Sequence, residues 1–241
     1  MSQKHLQSIH VSHYKHTAGC ATEVMPIPDV VKISMSQHIG APCKPLVKKG
    51  DYVKVGQLLG DTEAFVSAPI HSSVSGTVTG IEEVRSANGG KDTLVVIETD
   101  KLQEVYEGIE VPVANDLPEF VKAIRASGLV GLGGASFPTH IKFNPKNIDA
   151  VHTLIVNAAE CEPLIKVDRQ LLVEYTNEIC AGMQMLTEAM GAKEGVIAVK
   201  KSYTASIEAI NSCIGQYDKV RVHILPDIYP AGDEVITIYE V

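Results

Sequence analysis

No stretch of this sequence approaches the ~20 consecutive apolar residues that a membrane-spanning helix needs. The first residues, MSQKHLQSIHVSHYKH, also lack the apolar core of a secretion signal. Basic residues are in the minority, because 21 Lys and Arg face 29 Asp and Glu and the net charge is −8 at pH 7. Nucleic-acid-binding surfaces concentrate Lys and Arg, so this balance argues against a nucleic-acid partner. We therefore expect a soluble chain that does not bind nucleic acid.

Closely spaced cysteines are absent too. The five cysteines are widely spread, and no two of them form a Cys-x-x-Cys pair, which favours reduced thiols and provides no complete zinc or iron–sulfur motif. Four histidines near the start could suggest a metal cluster, but they lack a carboxylate partner and lie in a polar leader: His5, His10, His13 and His16. No Ser-His-Asp or Cys-His arrangement stands out. The sequence thus predicts no metal ligand and no catalytic side chain.

The part of the chain from about residue 28 to 100 has the pattern of short β-strands. Residues 30–34, 52–55, 74–81 and 93–98 are rich in β-branched side chains, and glycine-containing turns separate them. The run PLVKKGDYVKVGQLLG followed by SAPIHSSVSGTV resembles the two hammerhead repeats of a lipoyl- or biotin-carrier domain. A carrier needs a lysine at its hairpin tip, and the matching DTEAFVS has none. The resemblance implies a barrel-sandwich hybrid without covalent lipoate or biotin.

After residue 113 strands alternate with helices. Asp116 and Glu119 have the spacing of a capping box at a helix start, and residues 172–190 carry apolar side chains at intervals of three and four, which predicts one long helix closed by Gly191. Apolar runs at 153–157, 196–199 and 220–225 are typical of buried parallel strands. This alternation predicts an α/β fold with a largely parallel sheet. We expect a mobile leader (1–27), a β domain (28–112) and an α/β domain (113–241).

Three sequence blocks in this second half are candidates for binding. The first, GLVGLGGASFPTHIKF at 128–143, is dense in glycine, which lets backbone amides approach a phosphate or a planar ring. The second, NAAECEP at 157–163, follows a predicted strand with two carboxylates that could bond ribose hydroxyls or cap a nearby helix. The third, YPAGDE at 229–234, could equally be a plain turn. None of the three blocks is specific by itself.

Taken together, these blocks resemble the flavin-bearing, NADH-oxidising subunit of respiratory complex I. With the phrase SQHIGAPCKPLVKKGDYVKVGQ they resemble more closely RnfC, a subunit of the Rnf complex, which is an ion-translocating ferredoxin:NAD oxidoreductase. The resemblance runs from about residue 23 to the last residue. It implies a two-domain α+β protein in which a barrel-sandwich hybrid precedes a Rossmann-like domain for FMN and NADH. Leu132 and Ala159 depart from the complex I pattern, where a basic and an acidic residue are usual.

The resemblance also implies roles for individual residues. The glycines and Lys142 would cradle the flavin and its phosphate, and Asn157 and Glu160 would hydrogen-bond FMN. Phe137 and Glu162 would meet NADH, and residues 229–234 would close the pocket. The full cofactor-binding set is Gly131, Gly133, Gly134, Phe137, Lys142, Asn157, Glu160, Glu162, Tyr229, Gly232, Asp233 and Glu234.

The family picture implies that NADH reduces FMN and that electrons pass to iron–sulfur centres. Related proteins hold [4Fe-4S] clusters in a further Cys-x-x-Cys-x-x-Cys segment that this sequence lacks, so we expect a chain truncated at its C-terminal end. The implied partners are other Rnf subunits, some of them membrane-embedded, and the implied location is the cytoplasmic face of the membrane. An electron-transfer protein for proline reductase and a non-catalytic docking subunit remain alternatives.

Overall fold

The computed structural model describes residues 8–12, 14–86, 89–132 and 136–241. The strands are β1 (Val30–Ser34), β2 (Lys44–Pro45), β3 (Tyr52–Val53), β4 (Leu58–Asp61), β5 (Ile70–His71), β6 (Gly76–Arg85), β7 (Lys91–Thr99), β8 (Thr153–Ala158), β9 (Glu194–Lys200) and β10 (Val220–Leu225). The helices are α1 (Leu117–Ala126), α2 (Thr139–Lys142), α3 (Val167–Glu174), α4 (Thr176–Ala189), α5 (Thr204–Cys213) and α6 (Glu234–Glu240).

The chain divides into two compact units. One, the β unit, comprises residues 23–146, and the other, the α/β unit, comprises residues 1–22 together with 147–241. This division differs from the predicted boundary at residue 113, because α1, the glycine-rich segment and α2 belong to the β unit. The N-terminal leader belongs to the α/β unit although more than a hundred residues separate it from the rest of that unit in sequence.

The β unit is built from two antiparallel sheets. One has the strand order β1-β7-β6-β3 and the other the order β2-β4-β5. Inward-pointing residues of these strands, together with Met35 directly after β1, form one apolar core that includes Val53, Leu59 and Ile97. The predicted strands at 30–34, 52–55, 74–81 and 93–98 are confirmed, with small shifts at their ends. Gly50 and Gly56 have φ of 94° and 82° and make turns that other residues would strain.

Helix α1 starts where the sequence indicates. The Asp116 side chain accepts a hydrogen bond from the Glu119 amide at 2.8 Å, which confirms the predicted N-cap. At the other end of the helix, the Arg125 guanidinium binds both carboxylate oxygens of Asp61, at 2.9 and 3.3 Å, and the Thr62 carbonyl at 2.9 Å. A bidentate contact of this kind fixes the orientation of the Arg125 side chain as well as its position. It explains why α1 groups with the β-strands.

The α/β unit contains a parallel sheet with the strand order β10-β9-β8. Residues of β9 are buried on both faces, as expected for a central strand between layers of helices. One face packs in a core with Leu172, Met183 and Ile210 from α3, α4 and α5. The other face packs in a second cluster that includes Ala159 and Ala231. The three predicted apolar strands are confirmed in type and position.

One helix prediction was wrong. The apolar periodicity over 172–190 indicated a single helix, but α3 ends at Glu174 and α4 begins at Thr176. Tyr175 between them leaves helical geometry, with φ −126° and ψ 34°. No Gly or Pro marks this break, so the apolar periodicity continues across it and predicts a single helix. Gly191 follows α4 with φ 65°, as the predicted helix stop requires.

Candidate functional site

The loop after β8 begins with Asn157 at the carboxyl end of the parallel sheet. Its side-chain amide nitrogen donates to the Gly232 carbonyl at 2.7 Å, and its amide oxygen accepts from the Ala159 backbone at 3.2 Å. The first bond ties this loop to the YPAGDE loop, 75 residues further along the chain. Carboxyl ends of parallel strands are where open α/β sheets bind ligands. The structure therefore brings two of the three predicted blocks together at the expected edge.

Glu160 is held in a buried ion pair with the leader. Only 3% of Glu160 is exposed, and one of its carboxylate oxygens lies 3.3 Å from the Lys15 ammonium. The same ammonium donates to the carbonyls of Glu162, at 2.8 Å, and Ile165. A buried charge needs such partners, since an isolated carboxylate out of water is costly. The Glu160 side chain is thus engaged by the protein itself, and Lys15 fixes the loop that follows it.

Further contacts complete the surroundings of Glu160. Its second carboxylate oxygen accepts from the Asp168 amide in the first turn of α3 at 3.3 Å, and its carbonyl accepts from the buried Tyr203 hydroxyl at 2.7 Å. Partial desolvation, followed by the nearby carboxylates of Glu160 and Glu162, raises the pKa of Asp168. Burial likewise raises the pKa of Tyr203. The negative charge here is concentrated, and the ion pair of Lys15 with Glu160 compensates part of it.

The YPAGDE loop approaches the β8 loop very closely at Gly232. A side chain at this position would place its first carbon 2.4 Å from the Ala159 carbonyl oxygen and 2.9 Å from the Cys161 sulfur. The Gly232 amide donates to that sulfur at 3.2 Å. Asp233 then caps α6 by accepting from the Val235 and Ile236 amides. Glycine is therefore required here by contact with the neighbouring loop.

Other residues of the predicted set in this unit are open to solvent. Glu162 and Glu234 are exposed, and Tyr229 is 40% exposed. The backbone of Tyr229 exchanges two hydrogen bonds with Ile9 of the leader, at 2.8 and 3.0 Å. The leader thus contacts both candidate loops of the α/β unit. Of the two acids in NAAECEP, Glu162 is the one whose carboxylate is free to meet a ligand.

The glycine-rich segment lies in the β unit. Gly131 donates its amide to the Phe137 carbonyl at 2.9 Å. A side-chain carbon on Gly131 would meet only ordinary contacts, the nearest being the Lys142 ammonium at 3.6 Å. Packing within this unit therefore does not require glycine here, and Lys142 reaches over it. Ser136 has φ 50°, an unusual backbone for a non-glycine residue. The predicted Gly133 and Gly134 lie outside the described residues.

Sequence reasoning missed three residues of this site. Lys15 looked like part of a mobile leader, Tyr203 like a core aromatic, and Cys161 like an isolated thiol. Only Cys161 carried a signal, because it sits between the two glutamates of NAAECEP. Across 8–12, 14–86, 89–132 and 136–241 there is no cluster of three or more His, Cys, Asp or Glu side chains arranged for a metal ion. The same residues contain no helix long and apolar enough to cross a membrane.

Two family models match this chain, one for each half. The model described as the RnfC barrel sandwich hybrid domain matches residues 4–102, and that described as the Nuo51 FMN-binding domain matches residues 124–241. They occur in the order that the sequence predicts. The matches support the barrel-sandwich hybrid and a flavin-binding type of α/β domain.

Several curated proteins are similar over most of the chain. The C subunit of the Na(+)-translocating ferredoxin:NAD(+) oxidoreductase complex of Acetobacterium woodii is 39% identical over 211 residues, which are 86% of this chain and 47% of that protein. Its proton-translocating counterpart from Clostridium ljungdahlii is 38% identical over 229 residues, 93% of this chain and 50% of that protein. Cobalamin reductase PduS of Salmonella typhimurium is 45% identical over 138 residues, 57% of this chain and 29% of that protein. The chain spans about half the length of the first two relatives.

Proposed function

This chain is a homologue of the RnfC proteins over most of its length, and on that premise we propose that it binds FMN and exchanges electrons between NADH and iron–sulfur centres. The observation that carries the proposal is the match of residues 124–241 to an FMN-binding domain, in a unit whose candidate loops meet at the carboxyl edge of a parallel sheet. We propose that this unit is Rossmann-like.

The residues at this edge suit a flavin and a dinucleotide. FMN supplies the chemistry when bound, since it accepts a hydride and releases single electrons, and the protein orients it. The exposed Glu162 carboxylate can accept hydrogen bonds from ribose or carboxamide groups. In the β unit, considered by itself, Lys142 lies beside Gly131, and the half-buried Phe137 presents an aromatic ring.

The contacts of Glu160 change its proposed role. Both carboxylate oxygens already have partners, Lys15 and the Asp168 amide, so Glu160 is better suited to hold the loop than to bond FMN directly. Glu162, two residues further, then faces the ligand from a loop that the pair has fixed. Tyr229, Asp233 and Glu234 belong to the same edge, with Asp233 acting through the helix that it caps.

The wider setting follows from the relatives. We propose that the chain works with other Rnf subunits, including membrane-embedded ones, on the cytoplasmic face of the membrane, and that [4Fe-4S] clusters receive its electrons. The similarity to cobalamin reductase PduS, higher in identity over a shorter stretch, favours a second candidate in which the electron acceptor is a corrinoid. Both candidates share FMN and NADH and differ in the acceptor.

Titration of the purified chain with FMN and NADH tests the proposal. We expect FMN to bind, and Glu162→Ala to weaken NADH binding by about tenfold or more, the loss typical of a hydrogen bond to a charged group. Glu208→Ala, which removes an exposed glutamate from α5 in the same unit, is the matched control. Absence of flavin binding, or equal NADH affinity in the wild type and Glu162→Ala, would contradict the proposal. Reduction of a ferredoxin or of cob(III)alamin by the FMN-loaded protein separates the two candidates.

A further inference from the structure

Lys200 is a buried cation at the carboxyl end of the central strand. It is the last residue of β9, which lies between β8 and β10, and only 2% of its surface is exposed. Lysine is almost never buried to this extent unless its charge is paired. The position at the end of a parallel strand is also the edge at which the two candidate loops meet.

The ammonium of Lys200 has no partner among the residues that the structure describes. Within 8–12, 14–86, 89–132 and 136–241, no carboxylate lies within 4.0 Å of it and no acceptor hydrogen-bonds it. The contrast with Lys15 is direct, because that similarly buried lysine has a carboxylate and two carbonyls around its ammonium. The described part of the chain therefore supplies protein partners for the Lys15 ammonium and none for the Lys200 ammonium. Among the described side chains, the atoms that are fully buried without a partner belong to Asp92, Gln103 and His140, so the Lys200 ammonium still reaches solvent at this edge. A ligand that enters there can supply the anion that the protein does not.

The sheet face that carries Lys200 is suited to a ligand. Residues two apart on a strand point to the same side, so Lys200 shares its face with Ala198, and Ala198 is in register with Asn157 on β8. Ala198 packs in a cluster with Ala159 and Ala231, whose side chains are small. The Asn157 amide is already committed to Gly232 and Ala159. Lys200 thus remains available on this face as a cation for an incoming anion.

We infer that Lys200 binds a phosphate group of the ligand held at this edge. The inference rests on the proposed function, which supplies two sources of phosphate, the 5′-phosphate of FMN and the pyrophosphate of NADH. A phosphate dianion matches a lysine ammonium as a point charge, and burial strengthens the attraction. Lys200 is a binding residue in this scheme, distinct from the exposed Glu162.

Affinities of matched ligand pairs test the inference. Flavin fluorescence titration compares FMN with riboflavin, which lacks the phosphate, and NADH is compared with dihydronicotinamide riboside. In Lys200→Met we expect the preference for one phosphorylated ligand over its partner to fall by about tenfold or more. The neighbouring exposed Lys201→Met should leave both preferences unchanged, and Lys200→Arg, which keeps the charge, should retain them. A loss confined to FMN or to NADH identifies which phosphate Lys200 holds.

Other results overturn the inference. If Lys200→Met lowers the affinities for FMN and riboflavin equally, or those for both nicotinamide ligands equally, the substitution disturbs the site and Lys200 does not recognise the phosphate. Unchanged affinities would mean that Lys200 does not touch the phosphate. If the wild type binds neither flavin nor NADH, the proposed function fails, and inorganic pyrophosphate then decides for Lys200 alone. A rise in melting temperature with pyrophosphate in the wild type and Lys201→Met, absent in Lys200→Met, supports the inference, whereas equal shifts or none refute it.

Discussion

The buried pair between Lys15 and Glu160 gives the sharpest stability prediction. Lys15→Met removes the ammonium but leaves a carboxylate whose side chain is 1% exposed, with the Asp168 amide at 3.3 Å as its remaining partner. Removing one partner of a buried pair typically costs about 3–5 kcal/mol. Part of this loss belongs to the two carbonyls that Lys15 also binds. We therefore expect Lys15→Met to be among the most destabilising single changes in the α/β unit.

Urea unfolding followed by far-UV circular dichroism measures this loss, since the chain has no Trp to report by fluorescence. With a slope of about 2 kcal/mol per M, a loss of about 3 kcal/mol lowers the midpoint of the α/β transition by about 1.5 M. Lys193→Met, at an exposed position in the same unit, is the control and should change the midpoint by less than about 0.3 M.

A double-mutant cycle with Glu160→Gln isolates the pair itself. Glutamine keeps the size of the side chain and removes the charge that Lys15 compensates, so the double variant should lose less than the sum of the two single losses. A coupling of about 1 kcal/mol or more is the expected result. Strict additivity, or a Lys15→Met protein as stable as the control, would show that the leader does not hold this loop in solution.

Two further predictions concern the same unit. Gly232→Ala should lower the melting temperature and weaken FMN binding, because the new carbon would lie 2.4 Å from a carbonyl oxygen, whereas Gly182→Ala in α4, with open space around it, should be neutral or stabilising. The pKa of Asp168 is raised in the folded state, so the folded protein holds the Asp168 proton more tightly than the unfolded chain does. Ionisation of Asp168 therefore lowers the free energy of unfolding as pH rises from the usual aspartate pKa through the raised one. Asp168→Asn should therefore melt higher than the wild type near pH 7, and the advantage should vanish below the usual aspartate pKa; an equal difference at every pH would refute this reading.

The sequence was informative wherever a local pattern determines structure. Buried parallel strands need continuous apolar runs, so β8, β9 and β10 could be located to within a few residues. The N-cap at Asp116 could be predicted because its side chain accepts from the amide three residues later, although the Glu119 carboxylate bonds Asn115 and not the Asp116 amide that a full capping box requires. The division between α3 and α4 could not, since Tyr175 leaves helical geometry without a residue type that marks a break.

The sequence predicted where the candidate site lies in the fold, but it did not predict the contacts within the site. NAAECEP and YPAGDE could be proposed as neighbours because both follow parallel strands, and the bond from Asn157 to Gly232 joins them. That Glu160 would be occupied by a lysine 145 residues earlier has no local signature. The uncompensated charge of Lys200 is equally invisible in sequence, because burial is a property of the folded chain. Long-range partners of charged groups are the part that residue patterns do not encode.

The return of the leader to the α/β unit has a consequence for how the protein is made. During translation Lys15 leaves the ribosome long before Glu160 is synthesised. Lys15 therefore has no ion-pair partner while the intervening β-strands emerge. Closing so long a loop slows folding more than it costs in final stability. Any attempt to dissect the protein into halves must therefore carry the first two dozen or so residues along with the last hundred.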